Sequence, residues 1–259
     1  MAQGEFLWCD LATFDVVDVL PDYADLFGWS FRSEEFADGS VYYFASNRTD
    51  VTAGIYEMPQ VYRDDGMHSF WMTYVGIADI VEGIDIAVAE GGRVLLGPAS
   101  FGMGASIAMI ADPDGAILTL FSGSHLQHRP QKMSHGSHFW NELITRDMER
   151  SRDFYGKLFG WKFEPGEAEH RLNIRNMAGS PTASMRQMPD DSPADMTPHW
   201  AVSFAVGDIM DVQEASKKLC LQTRLEPGMD GTVRLMLTDR HGASFYAMPV
   251  DARKNSWFS

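Results

Sequence analysis

The sequence predicts an α+β protein made of four βαβββ units, which form two tandem domains with cup-shaped mixed sheets. Three observations predict this fold class. The chain repeats itself with a shift of 132 residues, each copy alternates strand and helix periodicity in the same order, and 259 residues suit two domains of ordinary size. Because each helix covers only one face of its small sheet, we expect paired units to enclose a ligand cavity on the other face.

Two segments with the same helix ending establish the repeat. FLWCDLATFDVVDVLPDYADLFGWSF begins at Phe6, and HFWNELITRDMERSRDFYGKLFGWKF begins at His138. Further along, FWMTYVGIADI corresponds to HWAVSFAVGDI, and ADPDGA corresponds to TDRHGA. The copies therefore span residues 1–124 and 133–259, and a short polar linker at 125–132 joins them. We predict that Trp29 and Trp161, in the two LFGW turns, pack in equivalent places.

Within each copy, periodicity and capping residues define the elements in order. FLWCDLAT alternates as a strand, Asp15 opens a helix, and the Phe-Gly-Trp turn ends it before the β-rich runs VYYFAS and TAGIYEM. The second half repeats this order with strand WMTYVGIAD, helix IVEGIDIAVAEGG, and strands around RVLLGP, ASIAMIAD and GAILTLF. Each half is thus one βαβββ unit, and the sequence leaves open whether units pair within a domain or between domains.

The composition argues against several classes of partner. Thirty-six acidic and 21 basic residues give a net charge of −15, which repels nucleic acid and anionic membrane surfaces. The two cysteines lie in apolar stretches and are expected to be reduced, and the first residues lack the features of a signal peptide. We therefore expect a cytoplasmic monomer or homodimer that binds neither nucleic acid nor membrane.

The segments WNELITRDMERSRDFYGKLFGWKF, HWAVSFAVGDI and ADPDGA resemble the vicinal oxygen chelate superfamily, which includes glyoxalase I, bleomycin-resistance proteins and extradiol dioxygenases. The resemblance covers nearly the whole chain and points to the tandem glyoxalase-like proteins of bacteria. It implies paired βαβββ units, and in the metal enzymes of the family it implies His, Gln or Glu ligands on the first and last strands. The fold hosts lyases, isomerases, dioxygenases and metal-free binders, so it does not select the chemistry.

The residues at these implied ligand positions argue against a metal. The resemblance places mostly side chains that are not metal ligands there: Trp8, Thr73, Thr119, Trp140, Val202 and Tyr246. The fourth strand of the first unit offers Glu57 or Tyr56, and its counterpart offers Arg186 or Met185, so that only Glu57 is a suitable donor. One carboxylate does not hold Zn, Ni or Fe(II). We therefore expect no metal and no cofactor.

Strand alternation predicts which side chains face the cups, because residues i and i+2 share a face. We expect Asp10 beside Trp8 in the first cup and Glu142 beside Trp140 in the second, with each cup lined by a second tryptophan. The candidate ligand-binding residues are Trp8, Asp10, Glu57, Trp71, Thr73, Thr119, Trp140, Glu142, Arg186, Trp200 and Tyr246. The alternate residues of these strands are expected to face the helices: Leu7, Cys9, Leu11, Phe139 and Leu143.

The function expected from these features is metal-independent binding of a small, mainly apolar or aromatic molecule in one or both cups. A carboxylate in an apolar wall favours ligands that donate a hydroxyl or amine hydrogen bond. Two alternatives stay open: a metal-free enzyme with Asp10 or Glu142 as acid or base, and a metal-dependent lyase of the lactoylglutathione-lyase type, or a dioxygenase, built around Glu57. The tryptophans can equally fill the cups as core, with the carboxylates in structural roles.

Overall fold

The computed structural model describes residues 3–36, 38–48, 50–64, 66–101, 104–123, 133–193, 196–228 and 232–249. The first sheet comprises β1 (Phe6–Thr13), β2 (Ser30–Glu35), β3 (Val41–Ser46), β4 (Val51–Glu57), β5 (Phe70–Gly76), β6 (Arg93–Ser100), β7 (Ser106–Ala111) and β8 (Ile117–Ser122). The second comprises β9 (His138–Thr145), β10 (Lys162–Pro165), β11 (Arg171–Arg175), β12 (Pro181–Gln187), β13 (His199–Val206), β14 (Gln222–Pro227), β15 (Val233–Thr238) and β16 (Ser244–Pro249). The helices are α1 (Val16–Phe27), α2 (Gln60–Asp64), α3 (Ile80–Ala89), α4 (Met148–Phe159) and α5 (Ile209–Lys218).

The two sheets have the same topology. Their strand orders are β2-β3-β4-β1-β5-β8-β7-β6 and β10-β11-β12-β9-β13-β16-β15-β14. The predicted α+β class with four βαβββ units is confirmed. The antiparallel pairs β1–β5 and β9–β13 join two units into one continuous sheet, so the units pair within each copy. The predicted linker at 125–132 lies outside the described residues, and the exact domain boundaries stay a prediction.

An aspartate caps the first turn of each long helix, as the sequence predicted for Asp15. Asp15, Asp79, Asp147 and Asp208 accept hydrogen bonds from backbone N–H groups of the first turn. Gly28 adopts φ 66° where α1 ends, a left-handed conformation that glycine enters without a steric penalty. No helix in the described ranges is both long enough and apolar enough to span a membrane.

The helices α1, α3, α4 and α5 pack on the faces by which the two copies meet, where they bury two cores that both copies share. One core joins residues of β1 and α1 to residues of β13 and α5, including Cys9, Leu11, Val19, Phe204 and Val212. The other joins β5 and α3 to β9 and α4, including Val75, Ile80, Leu143, Phe154 and Trp161. Burial of this apolar surface holds the copies together and leaves the opposite face of each sheet available for a cup.

The prediction for Trp29 and Trp161 is confirmed. The Trp29 indole N–H donates to the Gly136 carbonyl at 2.9 Å, and that of Trp161 donates to the Gly4 carbonyl at 2.8 Å. Each ring also lies 5.6 Å from the tyrosine of its own helix, Tyr23 or Tyr155. The two LFGW turns therefore make reciprocal contacts with the segment that precedes the first strand of the other copy.

The predicted orientation of Trp71, Thr73 and Trp200 toward the cups is wrong. Directly paired residues on neighbouring strands point to the same face, and these three pair with Leu11, Cys9 and Leu143 on the helix-covered face. Trp71 donates its indole N–H to Tyr23 at 3.2 Å, and Tyr23 donates its hydroxyl to Asp239 of the second copy at 3.1 Å. Trp200, Tyr155 and Asp112 form the corresponding chain at 2.9 and 3.0 Å.

Leu7 and Phe139 also differ from the prediction. The register shifts between Phe6 and Trp8 on β1, and the β9–β13 pairing shifts at the corresponding place. As a result Leu7 packs in the cluster that contains Trp8, and Phe139 packs in the cluster that contains Trp140, instead of under the helices. Because an irregularity of this kind inserts a shift in the alternation, each residue before it points to the face opposite to the predicted one.

Candidate functional site

A cavity of about 580 Å³ lies on the open face of the first sheet, and we call it the inner chamber. Asp10 lines it from β1, as strand alternation predicted, and Thr119 lines it from β8. Most of the remaining wall is aromatic or aliphatic, with Tyr42, Tyr56, Tyr74, Phe101, Ile107 and Met109 among its residues. A largely apolar wall with a few polar groups is typical of a small-molecule site, and this volume suits one.

Asp10 is the buried carboxylate of the inner chamber. Its Oδ2 accepts hydrogen bonds from the hydroxyls of Tyr42 at 3.1 Å and Tyr74 at 2.9 Å. Tyr42 in turn accepts from the indole N–H of Trp8 at 2.8 Å, so both tryptophan and tyrosine are held in place. Asp10 Oδ1 is buried and has no hydrogen-bond partner among the described residues. A buried acceptor without a donor carries a free-energy cost that a ligand donor would remove.

The apolar surroundings change the acidity of Asp10. Burial raises its pKa from 3.8 to about 7, because the charged form loses its solvation, although hydrogen bonds from Tyr74 and Tyr42 oppose the shift. Both protonation states of this carboxyl group are therefore accessible near neutral pH.

Gly54 makes room for the tyrosine that holds Asp10. Gly54 lies opposite Asp10 in the β1–β4 pairing, and a Cβ atom at Gly54 would overlap the hydroxyl and ring of Tyr42. In the second sheet Ser184 pairs with Glu142 at the same place. The Ser184 hydroxyl accepts from Trp140 at 3.0 Å and donates to Glu142 at 3.3 Å, in place of the Tyr42 hydroxyl.

Two inward-facing residues of the first sheet differ from the sequence-based candidates. Tyr74 pairs with both Trp8 and Thr119, so it holds the inward place that had been assigned to Thr73. On β4, Tyr56 lies two residues after Gly54 and lines the chamber, whereas Glu57 is exposed at its rim. The one-residue uncertainty between Tyr56 and Glu57 is therefore decided in favour of Tyr56 as the inward residue.

In the second cup the carboxylate is surrounded by arginines instead of accepting from tyrosine hydroxyls. Glu142 is fully buried and contacts three guanidinium groups, those of Arg171 at 3.0 Å, Arg186 at 3.1 Å and Arg234 at 2.7 Å. Arg234 also lies over the ring of Tyr246, 3.8 Å from its centroid. Burial alone would raise the pKa of Glu142, but the charges of Arg234, Arg171 and Arg186 outweigh it and lower the pKa below its usual value.

The difference between the cups comes from three equivalent positions. In the first cup these positions carry Tyr42, Tyr56 and Ile107, and the register of the second sheet places Arg171, Arg186 and Arg234 there. The long guanidinium side chains reach Glu142 and occupy the space in front of it. The sequence analysis named Arg186 from the resemblance but missed Arg171 and Arg234, which lie on β11 and β15, strands to which the resemblance assigned no ligand position.

Comparison with known proteins identifies the fold family. Residues 6–120 match the model of the Glyoxalase/Bleomycin resistance protein/Dioxygenase superfamily. The Mn(II)-bound glyoxalase from Novosphingobium aromaticivorans has the same fold, with a TM-score of 0.67 over 96% of this chain and 83% of that one, at 12% identity. The first copy therefore matches this superfamily, and the second copy has the same strand topology.

Two curated relatives are similar over most of their length. "Putative glyoxylase CFP32" of Mycobacterium tuberculosis is 28% identical over 207 residues, which cover 80% of this chain and 78% of the relative. "Anthracycline biosynthesis protein DnrV" of Streptomyces peucetius is 26% identical over 257 residues, covering 94% and 92%. The similarity to DnrV extends across both domains.

The inward-facing residues of the two cups do not fit a bound metal ion such as the Mn(II) of the glyoxalase from Novosphingobium aromaticivorans. The inward positions of the first cup are Trp8, Tyr56, Tyr74 and Thr119. An indole N–H has no available lone pair, and burial raises the pKa values of Tyr56 and Tyr74, which keeps both phenols neutral. The corresponding second-cup residues are Trp140, Arg186, Ser203 and Tyr246. Within the described part of the chain, no group of three or more His, Cys, Asp or Glu residues could hold a metal.

Proposed function

We propose that the first cup binds a small, mainly apolar or aromatic molecule that carries a hydroxyl or amine donor, and that it does so without a metal. The observation that carries this proposal is Asp10, a buried carboxyl group in a largely apolar cavity of about 580 Å³, with one oxygen that has no partner among the described residues. A ligand hydroxyl that donates to Oδ1 would satisfy the acceptor, and the apolar wall would bury the rest of the molecule.

The aromatic side chains around Asp10 favour a flat ligand. Tyr42 and Tyr56 lie nearly parallel, with 12° between the ring planes and 6.3 Å between the centroids. Offset stacking on such rings contributes beyond the burial of apolar area. The relative DnrV of Streptomyces peucetius is named as an anthracycline biosynthesis protein. That name supports an aromatic ligand for this chain.

The second cup is proposed to be structural. Its carboxylate Glu142 is already paired with three arginines, so it offers no free acceptor comparable to Asp10 Oδ1. The ion pairs also hold Glu142 ionised, since its pKa is lowered. Glu142 is therefore a poor candidate for general acid or base chemistry.

Proton transfer by Asp10 is the second candidate function, favoured by its pKa of about 7. Above that pH the carboxylate can accept a proton from a bound hydroxyl or from an acidic C–H bond, and below it the carboxylic acid can donate one. Tyr42 and Tyr74 hold Oδ2, so Oδ1 is the atom available for the exchange. Binding is required for this chemistry, so the binding proposal is tested first.

Isothermal titration calorimetry on chelator-treated protein tests the binding proposal with three probes of similar size: 2-naphthol, naphthalene and 2-naphthoate. We expect about one 2-naphthol per chain and an affinity at least tenfold higher than that for naphthalene, because a hydrogen bond to a charged acceptor contributes about 1.5 to 3 kcal/mol. At pH 8, 2-naphthoate should be rejected by the Asp10 carboxylate. Equal affinities for all three probes, or binding only after metal is added, would contradict the proposal.

A further inference from the structure

A second cavity adjoins the inner chamber where the two copies meet. This outer chamber has a volume of about 670 Å³. The first copy contributes Met58, Phe70 and Ile117 to its wall, and the second copy contributes Pro198 and His199. The outer chamber is therefore walled by residues of both copies.

The walls of the two chambers share three side chains. Tyr56, Leu96 and Met109 line both of them. Leu96 is exposed and Met109 is half-buried, so both have room to change rotamer, and methionine is the most adaptable of the apolar side chains. Because the chambers share these side chains, small rotations of Leu96 and Met109 would join them into one trough from Asp10 toward the second copy.

Both ends of this trough carry hydrogen-bond acceptors. Asp10 Oδ1 is the acceptor at the inner end. At the outer end, His199 Nδ1 lies 2.9 Å from the Thr197 carbonyl oxygen and must donate to it. Burial lowers the pKa of His199, so the ring is neutral and its Nε2 is left as an acceptor. Between the ends the wall is formed largely by methionine, leucine and aromatic side chains.

We propose that the ligand is an elongated phenol of three or more fused rings, which lies across both chambers with its hydroxyl at Asp10 and its far rings against the second copy. This inference rests on the binding function proposed above and specifies the class of ligand. Either chamber alone is already large enough for a small ligand, so the joined trough suits a longer one. A rigid fused-ring system fits it better than a flexible chain, because it loses little conformational freedom on binding.

The inference gives the second copy a role at the site. Its own cup is occupied by arginines, and its contribution is the segment at Thr197 to Trp200 that closes the outer chamber. In this arrangement Trp71 and Trp200, which face away from the cups, still contribute to the wall where the copies meet.

The test compares 2-naphthol, with two fused rings, and 2-anthrol, with three, by quenching of tryptophan fluorescence. The wild-type protein should bind 2-anthrol at least tenfold more tightly than 2-naphthol. Ile117→Trp places a large ring in the outer chamber only. It should lower the affinity for 2-anthrol by at least tenfold and change the affinity for 2-naphthol by less than twofold. Val88→Trp, at an exposed position of α3 that lines neither chamber, is the matched control and should change neither affinity.

Two results would overturn the inference while the binding proposal stands: 2-anthrol bound no more tightly than 2-naphthol, or Ile117→Trp weakening both probes to the same extent. Failure of 2-naphthol itself to bind would instead overturn the binding function and this inference with it. A phenol with a flexible chain, 4-octylphenol, bound as tightly as 2-anthrol would overturn the choice of a fused-ring ligand.

Discussion

At the scale of single residues, the two copies place a carboxyl group at the same point of the same strand and give it opposite electrostatic surroundings. Asp10 accepts from two neutral tyrosine hydroxyls, whereas Glu142 is held by three cations. The pKa is raised to about 7 in the first case and lowered in the second. Replacing the carboxyl group by an amide should therefore change the stability of the protein near neutral pH in opposite directions at the two sites.

Asp10→Asn should remove a pH dependence of stability. Between pH 3.8 and about 7 the folded state holds the Asp10 proton and the unfolded chain releases it, so this group lowers the free energy of unfolding as pH rises through that window. The loss is on the order of 2 to 4 kcal/mol. Urea denaturation at pH 4.5 and pH 8 should show the variant gaining stability relative to wild type at the higher pH.

The matched control for this measurement is Asp25→Asn, an exposed carboxylate on α1. It should keep the wild-type dependence on pH. If the Asp10→Asn and wild-type curves stay parallel from pH 4.5 to pH 8, Asp10 does not titrate near neutrality.

Glu142→Gln should destabilise the protein at every pH near neutral. The substitution leaves three buried or half-buried guanidinium groups around a neutral side chain, and breaking a buried ion pair on one side costs about 3 to 5 kcal/mol. Glu214→Gln, at an exposed surface pair with Lys218, should have little effect under the same conditions. A stability of Glu142→Gln within error of that control would show that the cluster is not structural.

At the scale of secondary-structure elements, one residue on β4 or β12 determines which hydroxyl reaches the carboxylate. Gly54 on β4 leaves room for the Tyr42 hydroxyl, whereas Ser184 on β12 supplies its own hydroxyl. Gly54→Ser places in the first cup the residue that the second cup has, and its side chain would displace Tyr42 from Asp10. We expect at least a tenfold loss of 2-naphthol affinity by calorimetry. Ser184→Gly, the reciprocal change in the second cup, should leave that affinity unchanged, and equal losses in both variants would contradict this role for Gly54.

The elements also show what the sequence could and could not predict. The aspartate caps and the LFGW turns predicted α1, α4 and the equivalent packing of Trp29 and Trp161, because those signals are local. The orientation of Trp71, Thr73 and Trp200 was missed because it depends on pairing with β1 or β9. Tyr74 could have been found from that pairing, since it lies opposite Trp8.

At the scale of the whole molecule, reciprocal hydrogen-bond chains connect the helix-covered faces of the two copies. Tyr23→Phe would leave the buried Trp71 indole without its acceptor and remove a donor from Asp239. Such a loss costs about 1 to 3 kcal/mol. Tyr155→Phe should cost a similar amount because Trp200 and Asp112 make the same contacts.

Chemical denaturation of both variants measures this cost, with Tyr43→Phe, a half-buried tyrosine outside these chains, as the control. A clear loss of stability in one of the two variants and none in the other would show that the two hydrogen-bond chains are not equivalent.

The central claim is that the first cup is open to a ligand and the second is closed by arginines. Ile107 and Arg234 hold equivalent positions, so Ile107→Arg gives the first cup the residue that pairs with the carboxylate in the second. Calorimetric titration of this variant with 2-naphthol tests the claim most directly, with Val88→Arg on the exposed face of α3 as the control. We predict at least a tenfold loss of affinity in Ile107→Arg and none in Val88→Arg, whereas wild-type affinity in Ile107→Arg would contradict the claim.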